Sequence, residues 1–110
     1  MAPPKDNVIT FTKRDLTRRV ADKLDVPYSQ MVEPVNAVFD SVRELLSQDQ
    51  SNIRVEIRNF GVLEVKPTKA KPNARNPKTN EVIYVPARKK AHFKPGQLLR
   101  AKFKQPLDGD

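Results

Sequence analysis

Apolar residues along the chain change their spacing twice, and each change marks a different element. Leu16, Val20 and Leu24 recur every four residues, which gives one apolar stripe on a first helix. Thr12 is a good residue to cap its start, and Asp15 stands three positions later, as a capping box requires. Phe11 and Leu16 flank that cap as a hydrophobic staple would, and Asp25-Val26-Pro27 ends the helix. A second helix is predicted over about Ser29 to Ser47. Met31, Val32, Val35, Val38, Phe39, Val42, Leu45 and Leu46 follow a three–four spacing, a stripe broad enough to pack on several neighbours. Pro34 interrupts it. Either the helix starts at Ser29 and bends where Pro34 removes a hydrogen bond, or the regular helix begins near Glu33.

Beyond a polar turn at Asp49 to Asn52 the period drops to two. Ile53, Val55 and Ile57 alternate with Arg54, Glu56 and Arg58, the pattern of a half-buried strand. Asn59-Phe60-Gly61 is a tight connection. Val62 to Lys66 returns as a second strand, with Leu63 and Val65 on one face. Two helices followed by a hairpin indicate an α+β fold, its sheet covered on one side by helices. Lys66 to Asn80 then carries Pro67, Pro72 and Pro77 and almost no large apolar residue, before Glu81-Val82-Ile83-Tyr84-Val85 resumes as a strand. Residues 66–85 therefore read as a long projecting hairpin with Asn76 to Asn80 at its tip. Eight extended residues a side would reach about 26 Å. A disordered loop between two strands is the alternative, and both hold if the ribbon orders only on a partner. In the last segment Pro95 suits the first turn of a short helix, with Leu98, Leu99 and Phe103 placed to dock on the body. Residues 1–11 are expected to be a flexible extension, residues 12–104 the domain and residues 105–110 a flexible tail. There is no internal repeat.

Charge sharpens this picture. The 110 residues carry 21 basic and 13 acidic side chains, a net of +8. Through Val65 there are nine basic and ten acidic residues; from Lys66 to Lys104 there are twelve basic residues and one acidic residue, Glu81. Basic charge so concentrated calls for a polyanion or bulk water. Nucleic acid rewards it through counterion release, and a solvated basic tail is the alternative. The absence of cysteine excludes a disulfide frame, a thiolate nucleophile and a cysteine zinc site. Apolar runs are too short for a membrane-spanning helix, and Met1-Ala2-Pro3-Pro4 lacks the apolar core of a secretory signal. His92 is the only histidine, better read as a packed or surface residue than as a metal ligand. No nucleophile–base pair, phosphate-cradling glycine loop or paired carboxylate is evident, so neither an enzyme, a cofactor nor a small-molecule substrate is expected. A chain this small with ten prolines buries a modest core alone, which points toward oligomerisation.

Four stretches, in order and properly spaced, resemble the HU/IHF family of bacterial histone-like DNA-bending proteins. They are Asn36-Ala37-Val38-Phe39-Asp40-Ser41, Arg54 to Gly61, Ala74-Arg75-Asn76-Pro77-Lys78-Thr79, and His92-Phe93-Lys94-Pro95-Gly96. The second is most similar to the beta subunit of integration host factor. The resemblance, over about Thr12 to Phe103, implies an intertwined dimer. Its helices would form a base, a three-stranded antiparallel sheet a saddle, and the β-ribbon arms would follow the DNA minor groove, with a short helix closing the chain. Phe39, Phe60, Phe93 and Phe103 are candidates for a core shared between two copies, with ordinary packing within one chain equally open. The chain departs from the family at Asn80, where glycine is usual, at Pro34, in slightly longer turns before Ile53 and Arg75, and in its amino-terminal extension.

The resemblance also implies roles. Pro77 is the apolar wedge that unstacks one base step, the mechanism already known for HU and IHF among minor-groove architectural proteins; a plain turn-forming proline is the rival reading. Arg75 and Asn76 are placed to meet minor-groove acceptors, and Arg58 matches a groove-entering arginine or is a surface strand residue. Arg54, Lys69, Lys71, Lys78, Arg88, Lys89, Lys90 and Lys94 are read as DNA contacts, mostly to phosphate. Lys13 and Arg14 are weaker candidates for flanking contacts. The implied partner is double-stranded DNA, bound by a homodimer or heterodimer in the nucleoid of the bacterial cytoplasm, with no membrane involved. Three functions remain: a bender of low sequence preference, a site-specific IHF-like bender, or an RNA- or protein-binding module with a basic loop.

Overall fold

The computed structural model describes residues 7–107. The expectations for residues 1–6 and 108–110 lie outside the described residues. Eight elements follow one another: α1 Lys13–Leu24, α2 Tyr28–Leu46, β1 Ile53–Ile57, β2 Gly61–Pro67, β3 Lys71–Arg75, β4 Val82–Val85, β5 Lys89–Pro95 and α3 Gln97–Phe103. They divide between two compact units. Of the described residues, one comprises those up to Glu44 together with Pro106 and Leu107, and the other is Leu45–Gln105.

The helical unit starts as its sequence dictates. The Thr12 backbone N–H donates to Asp15 Oδ2 at 2.8 Å, and the Asp15 N–H donates to Thr12 Oγ1 at 3.4 Å, closing the capping box. Hydrogen bonds from the Thr12 backbone and hydroxyl, aided by Arg18 and Arg14, hold the Asp15 carboxyl below its ordinary pKa despite some desolvation. The staple is less complete: Phe11 and Leu16 line one shallow groove, and Phe11 stays exposed. Asp25 ends α1 in the left-handed region at φ 55°, and its N–H turns back to Ala21 and Asp22 carbonyls. Among the described residues Ala21 and Val35 are the buried apolar residues of this unit; Thr17 is buried too, its hydroxyl donating to the Lys13 carbonyl at 2.8 Å. The start of α2 at Tyr28 decides the Pro34 question. The proline lies inside the helix, where it withdraws one donor from the ladder.

The second unit holds two antiparallel sheets. One has strand order β1-β2-β5, and the other is the β3-β4 hairpin. Their separation corrects the expected ribbon. Residues 66–85 are not one continuous hairpin, because β2 pairs with β5 as far as Pro67↔Lys89, and β3 pairs with β4 only from Lys71↔Val85 outward. Between them the pairing lapses around Thr68–Ala70 and Pro86–Arg88. Thr68 bridges the gap: its N–H donates to the Arg88 carbonyl at 2.7 Å, and the Arg88 N–H donates to Thr68 Oγ1 at 3.0 Å. Prolines at 67, 72 and 86 supply no ladder donors, which explains the break and the register shift between Lys71 and Ala74.

Two further expectations are corrected at the carboxyl end. Pro95 is the last residue of β5, opposite Gly61, and Gly96 rather than Pro95 opens α3. A strand end tolerates the missing proline donor. The Gly96 N–H donates to the Phe60 carbonyl at 2.8 Å, tying α3 to the β1–β2 turn. Of the three residues expected to dock, only Leu99 is half-buried, while Leu98 and Phe103 are 66% and 63% exposed. Phe60 and Phe93 do pack together within the chain, ring centroids 5.2 Å apart.

Candidate nucleic-acid interface

Strand register sorts the three-stranded sheet into two faces. The pairs Ile53↔Val65, Val55↔Leu63, Leu63↔Phe93 and Val65↔Ala91 line up the apolar residues on one face. Arg54↔Glu64↔His92, Glu56↔Val62↔Lys94 and Lys66↔Lys90 occupy the other. The basic residues of three separate strands thus meet on one surface. Lys66 and Lys90 stand directly opposite one another and both are exposed, a like-charge pair that favours a bound anion.

At the middle of this face lies Glu64, only 5% exposed. Lys94 Nζ is 3.2 Å from its Oε1, while Arg54 Nε and Lys66 Nζ are each 3.9 Å from Oε2. The Lys94 approach to Oε1 is a charge contact without hydrogen-bond alignment. Burial pushes the carboxyl's pKa up, but Lys94, Lys66 and Arg54 together outweigh it and hold it below its usual value. Arg54 also meets Glu56 at 3.3 Å. Arg58 sits just past β1 in the turn closed by the Phe60 N–H to the Ile57 carbonyl at 3.1 Å, with Asn59 beside it at φ 65°.

The second basic surface is the β3–β4 hairpin. Its tip is a defined turn and not a loose loop. The Asn80 N–H donates to the Asn76 carbonyl at 2.7 Å, and the Asn76 N–H to the Glu81 carbonyl at 2.9 Å. Asn76 Oδ1 accepts the Lys78 N–H at 2.9 Å, so its side-chain amide, not its carbonyl, is what remains to address an acceptor. Asn80 takes φ 60°, the left-handed conformation that asparagine tolerates best after glycine. Its Oδ1 accepts from Arg75 Nη1 at 3.1 Å, which steadies the guanidinium beside the apex. Pro77 and Lys78 are exposed there.

The remaining candidates scatter. Lys69 and Lys71 are exposed at the base of the hairpin, and Arg88 is exposed where the two sheets part. Lys89, expected as a phosphate contact, is exposed but stands apart from the basic face. It lies on the opposite side of β5 from Lys90, and its Nζ donates to the Gln48 carbonyl at 3.0 Å, pinning the turn before β1. Glu64 and Lys66 were not singled out from the sequence, and His92 was read only as a packed or surface residue, yet all three share the basic face. The clue was the polar residue at every second place in Glu64–Lys66 and Lys90–Lys94, but only pairing aligns the two segments. Among the described residues no three His, Asp or Glu side chains form a group fit to hold a metal ion, and no helix is long and apolar enough to cross a membrane.

The family of bacterial DNA-binding proteins matches residues 11–104. Integration host factor subunit alpha of Hahella chejuensis is 37% identical over 92 residues, covering 84% of this chain and 88% of its own. The same subunit of Marinobacter nauticus is 36% identical over 92 residues, with the same coverage. These relatives are alpha subunits, whereas the sequence of the β1–β2 stretch had suggested the beta subunit. Among solved structures, the Anabaena HU–DNA cocrystal structure superimposes with a TM-score of 0.73 at 33% identity, covering 87% of this chain and all of that one. Sequence match, relatives and fold agree: the chain belongs to the HU/IHF family of bacterial DNA-binding proteins, a family of DNA binders and not of enzymes.

Proposed function

We propose that this protein is an architectural factor that works as a dimer, grips duplex DNA from the minor groove and bends it with little sequence preference, compacting the bacterial nucleoid. The observation that carries the reading is the hairpin apex: an exposed Pro77 on a hydrogen-bonded turn, flanked by Arg75 and Lys78. Bending a short site by 40–90° costs about 1–6 kcal/mol. A rigid apolar residue that opens one base step concentrates the bend, and cations on the inner face neutralise the crowded phosphates. Arg54, Lys66, Lys90 and Lys94 on the sheet, with Lys69, Lys71 and Lys78 on the hairpin, are the residues for that neutralisation.

A dimer explains the poor burial. Among the described residues Ala21, Val35 and Val65 are the buried apolar ones, while Phe39, Phe60, Phe93, Leu98 and Phe103 remain substantially exposed. A second copy that covers them completes a core which one copy lacks. The match to HU bound to DNA supports the same partner here.

The names of the curated relatives favour a second reading, a site-specific bender of the IHF type in recombination, replication or transcription. Competition of random against selected duplexes in a bandshift separates the two. The main test is Pro77→Ala in a FRET bending assay. Bending should fall while dimerisation persists; undiminished bending rejects the wedge.

A further inference from the structure

On the hairpin, Arg75 pairs with Val82, so their side chains leave the ribbon on the same side. Tyr84, two residues along β4, shares that side. Both apolar neighbours are open to water, Val82 at 57% and Tyr84 at 64% exposed, on a ribbon otherwise rich in lysine, arginine and proline. Ile83 and Ala74 face the other way, opposite each other. None of the hairpin's side-chain hydrogen bonds uses the Tyr84 hydroxyl. Exposing a valine and a tyrosine side by side on a two-stranded ribbon gains the free protein nothing, because such a ribbon has no core to cover them.

We infer that Val82 and Tyr84 extend the DNA-contacting face of the arm, packing on the deoxyribose walls of the minor groove while Arg75 reaches its floor. This rests on the reading that the arm lies in the groove. The occupant follows from chemistry. Groove walls are lined by sugar C–H groups, which suit apolar contact, and the backbone oxygens beside them accept a hydrogen bond from the tyrosine hydroxyl. The surrounding Lys69, Lys71, Arg75 and Lys78 match the charge of that occupant and would repel a second copy of the same ribbon. Contacts of this kind hold the arm against DNA regardless of base sequence, so the face adds affinity and bend stability without specificity.

The chain contains two tyrosines and no tryptophan, so Tyr28→Phe leaves Tyr84 as the sole emitter of tyrosine fluorescence. In that variant of the full chain, acrylamide quenching should fall severalfold when the protein is saturated with a nicked duplex. Unchanged quenching in a saturated complex overturns the inference, whereas failure of the parent chain to bind or bend the duplex overturns the underlying reading instead. Tyr84→Thr keeps a strand-favouring residue and should bind about tenfold more weakly, the scale of losing roughly 50 Å2 of apolar contact. Tyr84→Phe isolates the hydroxyl and should show a smaller loss. Wild-type affinity and bending by Tyr84→Thr, with its melting temperature intact, overturns the role.

Discussion

Lys94 on β5 holds its ammonium 3.2 Å from Oε1 of Glu64 on β2, across the diagonal of the sheet's basic face. Arg54 and Lys66 close on the same carboxylate from either side. Glu64 is therefore an internal counterion in a surface otherwise suited to phosphate. DNA phosphates compete with it for the same cations. Glu64→Gln should tighten binding to random duplex at low salt, and it should steepen the log–log salt dependence by about 0.9 for each cation released to a phosphate. An unaltered slope, measured by fluorescence anisotropy across a salt series, counts against this role. Because the native carboxyl titrates below its ordinary value, its stabilising effect is present above that value and is lost as pH falls through the depressed pKa. The wild-type and Gln forms should therefore converge in stability once the pH has fallen below that depressed pKa, in urea unfolding curves.

Asn80 holds φ 60° at the hairpin tip. Glycine enters that conformation without steric cost, so Asn80→Gly should keep the turn and bend DNA nearly as well as wild type. A β-branched side chain is disfavoured there by about 1–2 kcal/mol. Asn80→Val should open the Asn76–Asn80 turn, move Pro77 out of place and reduce FRET-detected bending. Equal bending by the two variants would mean that the tip conformation does not matter.

Gly61 starts β2 opposite Pro95, the last residue of the neighbouring β5. A Cβ at that position would stand 2.4 Å from the Lys94 carbonyl oxygen and 2.8 Å from the Phe93 ring. One of those neighbours is backbone and cannot swing aside. Gly61→Ala should cost about 1–3 kcal/mol, as overpacking does, and be visible as a lower urea midpoint at fixed protein concentration. The same variant should loosen the Phe60–Phe93 contact, checked by aromatic proton shifts.

Pro34 sits seven residues into α2, deep enough to interrupt its ladder. Restoring the donor with Pro34→Ala should raise stability by up to about 3 kcal/mol if the flanking turns straighten freely. Thermal melting monitored at 222 nm would show the gain. A lower melting temperature would mean that the bend at Pro34 is required by packing on another surface.

Local elements were readable directly from short stretches. Thr12 and Asp15 specify their capping box within four residues, and Ile53, Val55 and Ile57 declare a strand by period alone. β5 was not readable in this way, because Ala91 and Phe93 are its whole apolar face between lysines and a histidine, and it becomes a strand only against the edge of β2. The arm was legible as a hairpin from its prolines and the apolar run at 82–85, but its break at Thr68 and Arg88 depends on which backbone donors find partners.

The order of residues by itself determined the two helices, the first hairpin, the basic charge of residues 66–104 and the exposed proline apex. These depend on spacing, capping and composition, which act over a few neighbouring residues. Tertiary structure alone decided that Arg54, Lys66 and Lys94 gather around a buried Glu64, that Lys89 turns away to pin Gln48, and that Tyr84 shares a face with Arg75. Each of these follows from strand register, which joins residues far apart in the chain and assigns every side chain to one side of a sheet or the other.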